Sequence, residues 1–128
     1  MELSRAAADQ DFCYLTTIGR RSGLERTIEI WFAAEGPTLY LLSGGRDRSD
    51  WVKNIRRESR ISVRIGRRTY DGRARVVEDA AEDARARRLL AAKYEGWNKG
   101  KRLSGWARTS LPVAIDLDVA DRTPAMPA

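Results

Sequence analysis

The chain has 128 residues, 42% of them hydrophobic, with a formal net charge of +6 and no histidine. That is the size of one domain with one core, and no apolar run approaches the roughly 20 residues of a membrane span. With no histidine and a single cysteine, Cys13, neither a closed zinc site nor a Ser-His-Asp or Cys-His pair can be written. If the chain is an enzyme, a bound organic cofactor is expected to carry the hard chemistry.

One cysteine also excludes an intrachain disulfide, and the setting of Cys13 between Phe12 and Tyr14 reads as a small buried hydrophobe. The start, Met1-Glu2-Leu3-Ser4-Arg5, lacks the apolar stretch of a secretory signal, so a cytoplasmic location is expected. Arginine carries most of the positive charge, with lysine only at Lys53, Lys93, Lys99 and Lys101. The excess suits an anionic ligand without specifying one.

Residues 1–10 read as a polar or helical lead-in, and Phe12 to Thr17, rich in aromatic and β-branched residues, as a strand. The next residues form a tight turn with two glycines, two arginines and a serine: Gly19, Arg20, Arg21, Ser22 and Gly23. Glycines let the backbone reverse and expose its N–H groups, and arginine brings a forked, permanently charged donor. The turn suits an anion held at the mouth of a β-structure, or it is a plain hairpin with solvated arginines.

Arg26 to Ala34 reads as a single strand with Ile28, Ile30 and Phe32 on one face and Glu29 and Trp31 on the other. After a turn at Glu35-Gly36-Pro37, the apolar run Thr38 to Ser43 reads as a central strand. Gly44-Gly45-Arg46-Asp47 breaks it. A short helix follows, capped by Asp47 or Ser49, with Trp51, Val52 and Ile55 as its apolar stripe.

Arg60 to Ile65 alternates, with Ile61, Val63 and Ile65 facing inward. Thr69 to Val77 alternates too, and Gly72 within it marks a place where another backbone comes close. Asp79 with Glu82 three residues on forms a capping box for a helix to about Tyr94, stopped at Gly96. Trp97 to Arg108 is irregular or partly helical. Pro112 to Leu117 is a last strand, and Asp121 to Ala128 is a tail. The order β-β-β-α-β-β-α-β, without G-x-G-x-x-G, excludes a Rossmann fold and suggests a small, partly open barrel of antiparallel strands.

Two motifs carry a resemblance. Thr16 to Thr27 has the form T-T-x-G-R-x-S-G-x-x-R-T, and Ser43 to Val63 has the form S-x-G-x(5)-W-x-x-N-[IL]-R-x-x-x-x-[IV]-x-V. Together, at this separation, they resemble the deazaflavin-dependent nitroreductase and quinone-reductase family over about residues 12 to 117. The resemblance implies a mainly β (α+β) chain, one split β-barrel domain over residues 1–128, with the fold also seen in pyridoxamine-phosphate-oxidase-like flavoproteins. It implies binding of reduced deazaflavin of the F420 type and hydride transfer to a quinone, nitroaromatic or other small conjugated acceptor.

By the same resemblance, Arg21, Ser22 and Gly23 lie along the cofactor's phosphate and acidic tail, and Arg26 and Thr27 continue that contact. Ile28, Glu29, Ile30 and Trp31 run beside the ring, with Leu41, Leu42, Ser43 and Gly44 lining it from the third strand. Arg48, Ser49, Asp50, Trp51 and Val52 close the pocket at the helix N-terminus, where free N–H groups favour a phosphate. Trp106 faces the substrate. No residue is assigned a catalytic role, since the chemistry is the cofactor's.

The chain departs from the family pattern in two places. Many members carry proline where Glu29 stands, which sets a carboxylate near an anionic cofactor unless its side chain turns away. The tyrosines that some members carry in the late loop are replaced by Trp97 and Trp106. Arg20 joins Arg21 and Arg26 as a candidate cofactor contact, Asn54 either caps a neighbouring loop or meets the ligand, and Trp51 is mainly a core anchor. Two alternatives remain: FMN in the same barrel, or a non-catalytic binder of an anionic or hydrophobic ligand. The aromatics are scattered rather than gathered on a platform, so no nucleic-acid partner is expected. An open barrel has edges to cover, so a homodimer is expected.

Overall fold

A computed structural model describes residues 3–118; the expected tail lies outside them. Seven antiparallel strands form one sheet: β1 Cys13–Ile18, β2 Glu25–Ile30, β3 Ala33–Glu35, β4 Thr38–Ser43, β5 Arg60–Ile65, β6 Arg68–Val76 and β7 Leu111–Leu117. Their order across the sheet is β2-β1-β5-β6-β7-β4-β3. The helices are α1 Arg5–Ala8, α2 Asp50–Arg57, α3 Ala80–Glu95 and α4 Gly105–Thr109, with one 3-10 turn at Arg46–Arg48. Among the described residues no helix is long and apolar enough to cross a membrane.

The strand expected over Arg26 to Ala34 is in fact two. β2 pairs with β1 at one edge of the sheet, and β3 pairs with β4 at the other. Only Trp31 and Phe32 separate them, so the sheet curls until its two edges meet at that step and stays split beside each half. The backbone groups of Phe32 are satisfied from α3. Its N–H donates to the Tyr94 hydroxyl (3.1 Å), and its carbonyl accepts from Lys93 Nζ (2.9 Å). Buried backbone groups need such partners once they leave a ladder.

Two clusters make the core. Inside the barrel, Cys13, Leu15, Phe32, Leu39, Leu41, Ile61, Val63, Val113 and Ile115 meet Ile55 of α2. Outside it, Tyr40, Leu42, Val77 and Ala114 pack under Ala86 and Leu90 of α3. β4 lies between the clusters and is buried on both faces, which explains its unbroken apolar run. It has neighbours on both sides, as expected, although β3 beyond it is only three residues long. Cys13 is fully buried, and burial pushes its thiol up to about 12, so it is the inert hydrophobe the sequence suggested.

α3 starts at Asp79, whose carboxylate accepts the Glu82 N–H (2.9 Å). The other half of the capping box is absent, because the Glu82 side chain turns toward the sheet. It accepts from the Tyr40 hydroxyl (2.7 Å) and from both terminal nitrogens of Arg75 (2.8 Å each). Arg75 also donates through Nε to Asp116 (2.7 Å), tying α3 to β4, β6 and β7. Arg75 foremost, then Tyr40, holds the Glu82 carboxyl down to about 2, from an ordinary 4.5. A depressed carboxylate contributes stability above its unfolded value and loses it as pH falls toward its folded one. We therefore expect Glu82→Gln to destabilise the chain at pH 7 but hardly at pH 2, with the gap closing below about pH 4.5. Urea melts of both proteins across that window check this, and a gap that persists at pH 2 contradicts it.

Candidate functional site

The open side of the barrel beside β2 holds a cleft of about 680 Å3. Its walls are the end of β1 (Thr17), the β1–β2 turn, the first half of β2 (Glu25 to Ile28), and Asp50, Trp51 and Asn54 on α2. The turn is closed by two backbone hydrogen bonds, Gly19 N–H to the Leu24 carbonyl (2.7 Å) and Gly23 N–H to the Gly19 carbonyl (2.9 Å). Gly23 sits at φ 75°, which a side chain would oppose.

Asn54 joins the turn to the helix. Its Oδ1 accepts from the Arg20 backbone N–H (3.1 Å) and from Arg20 Nη1 (3.0 Å), and its Nδ2 donates to Thr17 Oγ1 (3.0 Å). Arg20 Nη2 reaches Asp50 Oδ1 at 3.2 Å. Arg20 lines the cleft but is engaged within the chain, and Asn54 ties the turn to α2. Its buried position was foreshadowed only by spacing: Asp50 and Asn54, four residues apart, share a helix face.

Arg21 and Arg26 differ from Arg20. Both are exposed, both line the cleft, and neither makes a hydrogen bond or ion pair among the described residues. The start of α2 is likewise open. Ser49 holds the N-cap position, but its hydroxyl pairs with Ser43 Oγ (2.8 Å) rather than capping the helix. Among the described residues the N–H groups of Asp50 and Trp51 have no protein acceptor. Cations without counter-ions beside open helix N–H groups fit the phosphate and carboxylates of an anionic cofactor. Two carboxylates also border the cleft: Asp50, paired to Arg20, and exposed Glu25.

Glu29 resolves simply. β2 alternates, so Arg26, Ile28 and Ile30 share one face while Thr27 and Glu29 share the other. Ile28 and Ile30 pack against the barrel core. Thr27 Oγ1 meets Thr16 Oγ1 at 2.7 Å on the outer face, and Glu29 stands there opposite Tyr14, exposed and away from the cleft.

Other expected site residues lie elsewhere. Leu41, Leu42 and Val52 are buried in the core. Ser43 is buried and donates to the Arg46 carbonyl (3.0 Å), and Gly44 and Arg48 are exposed in the loop before α2. Trp31 is at the far end of β2, stacked on Tyr94 (4.3 Å between ring centroids, 6° between planes). Trp106 meets it edge-on at 5.4 Å and 86°. Trp31 remains 47% exposed. The Tyr94 hydroxyl donates to the Asp11 carbonyl (2.6 Å), and burial raises its pKa to about 12. Among the described residues no group of three or more acidic, Cys or His side chains is placed to hold a metal.

The curled sheet, open beside a basic turn and a short helix, is that of the split β-barrel proteins. Structural likeness supports this across wide sequence distance. A conserved protein from Mycobacterium tuberculosis superposes with a TM-score of 0.73 at 19% identity, covering 98% of this chain and 92% of that one. A pyridoxamine 5'-phosphate oxidase-like protein from Listeria innocua gives 0.65 at 18%, covering 88% and 87%. An F420-H2 dependent reductase gives 0.62 at 24%, covering 92% and 98%. No match was found among curated proteins.

The family model for F420H(2)-dependent quinone reductases matches residues 2–118, and the chain belongs to that family. It is an F420H2-dependent reductase, with coenzyme F420 as its cofactor.

Proposed function

We propose that the cleft between the β1–β2 turn and α2 holds F420H2 and that the enzyme reduces a small conjugated acceptor, a quinone or nitroaromatic. The observation that carries this reading is the pair of guanidiniums at the cleft. Arg21 and Arg26 line it without a partner among the described residues, beside the open N-terminus of α2, and so offer counter-charges to an anionic tail.

Arg21, Ser22, Gly23 and Arg26, with the N–H groups of Asp50 and Trp51, take the anionic part. Ile28 and Trp51 line the way toward the ring, and Trp31 and Trp106 form the wall at the acceptor. Bound F420H2 supplies the hydride. The chain contributes orientation and exclusion of water. The Tyr94 hydroxyl is engaged with the Asp11 carbonyl, and no side chain is assigned as proton donor.

A fluorescence titration with F420, beside one with FMN, tests the site. We expect saturable binding of F420 in the micromolar range or tighter, and much weaker binding of FMN. Tight FMN binding with no response to F420 would reverse the reading.

A further inference from the structure

The last carbonyls of a helix normally face water or a cap, yet every carbonyl from Ser104 to Ser110 is taken. That of Ser104 accepts the Arg108 N–H (2.9 Å), that of Gly105 the Thr109 hydroxyl (2.7 Å) and that of Trp106 the Ser110 N–H (3.1 Å). The remaining four are held from outside. Arg87 Nη1 on α3 lies within hydrogen-bond distance of the carbonyls of Ala107 (2.9 Å), Arg108 (2.9 Å) and Ser110 (2.8 Å), which share its two N–H groups. Arg46 Nη1, from the loop between β4 and α2, donates to that of Thr109.

A five-residue helix has too few internal bonds to persist alone, so its place depends on the packing of Ala107 and Trp106 and on these two side chains. Both are themselves fixed. Arg87 Nε donates to Asp83 Oδ1 (2.6 Å), one turn back on α3, and its side chain is only 14% exposed. Arg46 has φ 53°, a left-handed backbone unusual for a residue other than glycine. Its carbonyl accepts from Ser43 Oγ (3.0 Å) and from the Ser49 N–H (3.4 Å), which holds the loop in that shape.

The cargo of α4 is Trp106, whose ring edge meets Trp31. We propose that Arg46 and Arg87 are positioning residues: by clamping the carbonyl end of α4 they hold Trp106 against Trp31 and so set the shape of the wall that meets the acceptor. The ring placement stands on the geometry alone. The identity of the molecule at the wall rests on the function proposed above.

Two readouts separate those parts. The first needs no cofactor: the near-UV circular dichroism of the Trp31–Tyr94–Trp106 cluster, its contribution defined by Trp106→Phe. The second is steady-state reduction of menadione with F420H2, alongside F420 titration of each variant. Arg46→Ala and Arg87→Ala should both lose the cluster's dichroism and raise the menadione KM roughly tenfold, with the F420 dissociation constant within about twofold of wild type. Arg46→Lys should restore both signals, since one donor serves one carbonyl. Arg87→Lys should not, since Nη1 meets the carbonyls while Nε holds Asp83, and an ammonium is a single donor atom that cannot stand in both places.

Unchanged dichroism in both alanine variants would overturn the clamp. Lost dichroism with an unchanged menadione KM would overturn the claim that this wall meets the acceptor. A large rise in the F420 constant for Arg46→Ala would make Arg46 a cofactor contact instead. Should Arg87→Ala fail to fold, exposed Arg46 carries the test alone. A wild type that binds no F420 defeats the functional reading, while the dichroism still decides the clamp.

Discussion

Replacing Arg21 and Arg26 together with alanine is expected to raise the dissociation constant for F420 about a hundredfold or more. Hydrogen bonds to charged groups contribute roughly 1.5–3 kcal/mol each, and each 1.4 kcal/mol is about a factor of ten. Both side chains are exposed, so solvent screening keeps the effect toward the lower end of that range. Among the described residues neither has a partner to lose, so the folded state should be left intact, with a thermal midpoint close to wild type. The same screening supplies a second check. Raising the salt concentration should weaken wild-type binding more than that of the double variant. A dissociation constant within threefold of wild type, with the fold intact, removes the anion site from this turn.

The largest effect on stability is expected from Gly72→Ala. Gly72 lies in β6 opposite Leu117 of β7 and Ile61 of β5, in the middle of the sheet. A Cβ there would stand 2.6 Å from the Asp116 carbonyl oxygen and 3.2 Å from the Leu117 Cα. These are backbone atoms, so no rotamer change relieves the clash and β7 must shift. Its neighbours resist, because the Asp116 carboxylate is tied to Arg75 and to the Thr38 hydroxyl. Overpacking of this kind costs about 2–3 kcal/mol, which for a chain of this size lowers the melting temperature by on the order of 10 °C. Gly44→Ala is the control, since a Cβ there meets nothing within 4 Å. Equal melting temperatures for the two variants would show that the strands are not held at this spacing.

Gly72 also shows what kind of information a sequence of this sort makes legible. A glycine inside an alternating strand signals a close approach, and the approach is there. The alternation of β5 and β6, the Asp79 cap and the stop at Gly96 were equally readable, because each depends on residues a few positions apart. The break between β2 and β3 was not. Ile28, Ile30 and Phe32 keep their alternation straight through the step and all reach the core, so nothing local marks the place where the chain changes partner. The contacts that satisfy Phe32 there come from Lys93 and Tyr94, some 60 residues away. The side chain of Glu82 was misjudged for a related reason, since its partners Tyr40 and Arg75 arrive from other strands.

By itself the order of residues determined the antiparallel barrel, the basic turn, and the pair of motifs that place the chain among F420H2-dependent reductases. The first two follow from periodicity and turn chemistry, both short-range; the family follows from the resemblance that the motifs carry. Only the tertiary structure decided which arginines are free. Arg20, Arg21 and Arg26 look alike in the sequence, but Asn54 and Asp50 of α2 reach the first of them and not the others. A charge is available to a ligand only when no closer neighbour has claimed it, and neighbours are set by the fold.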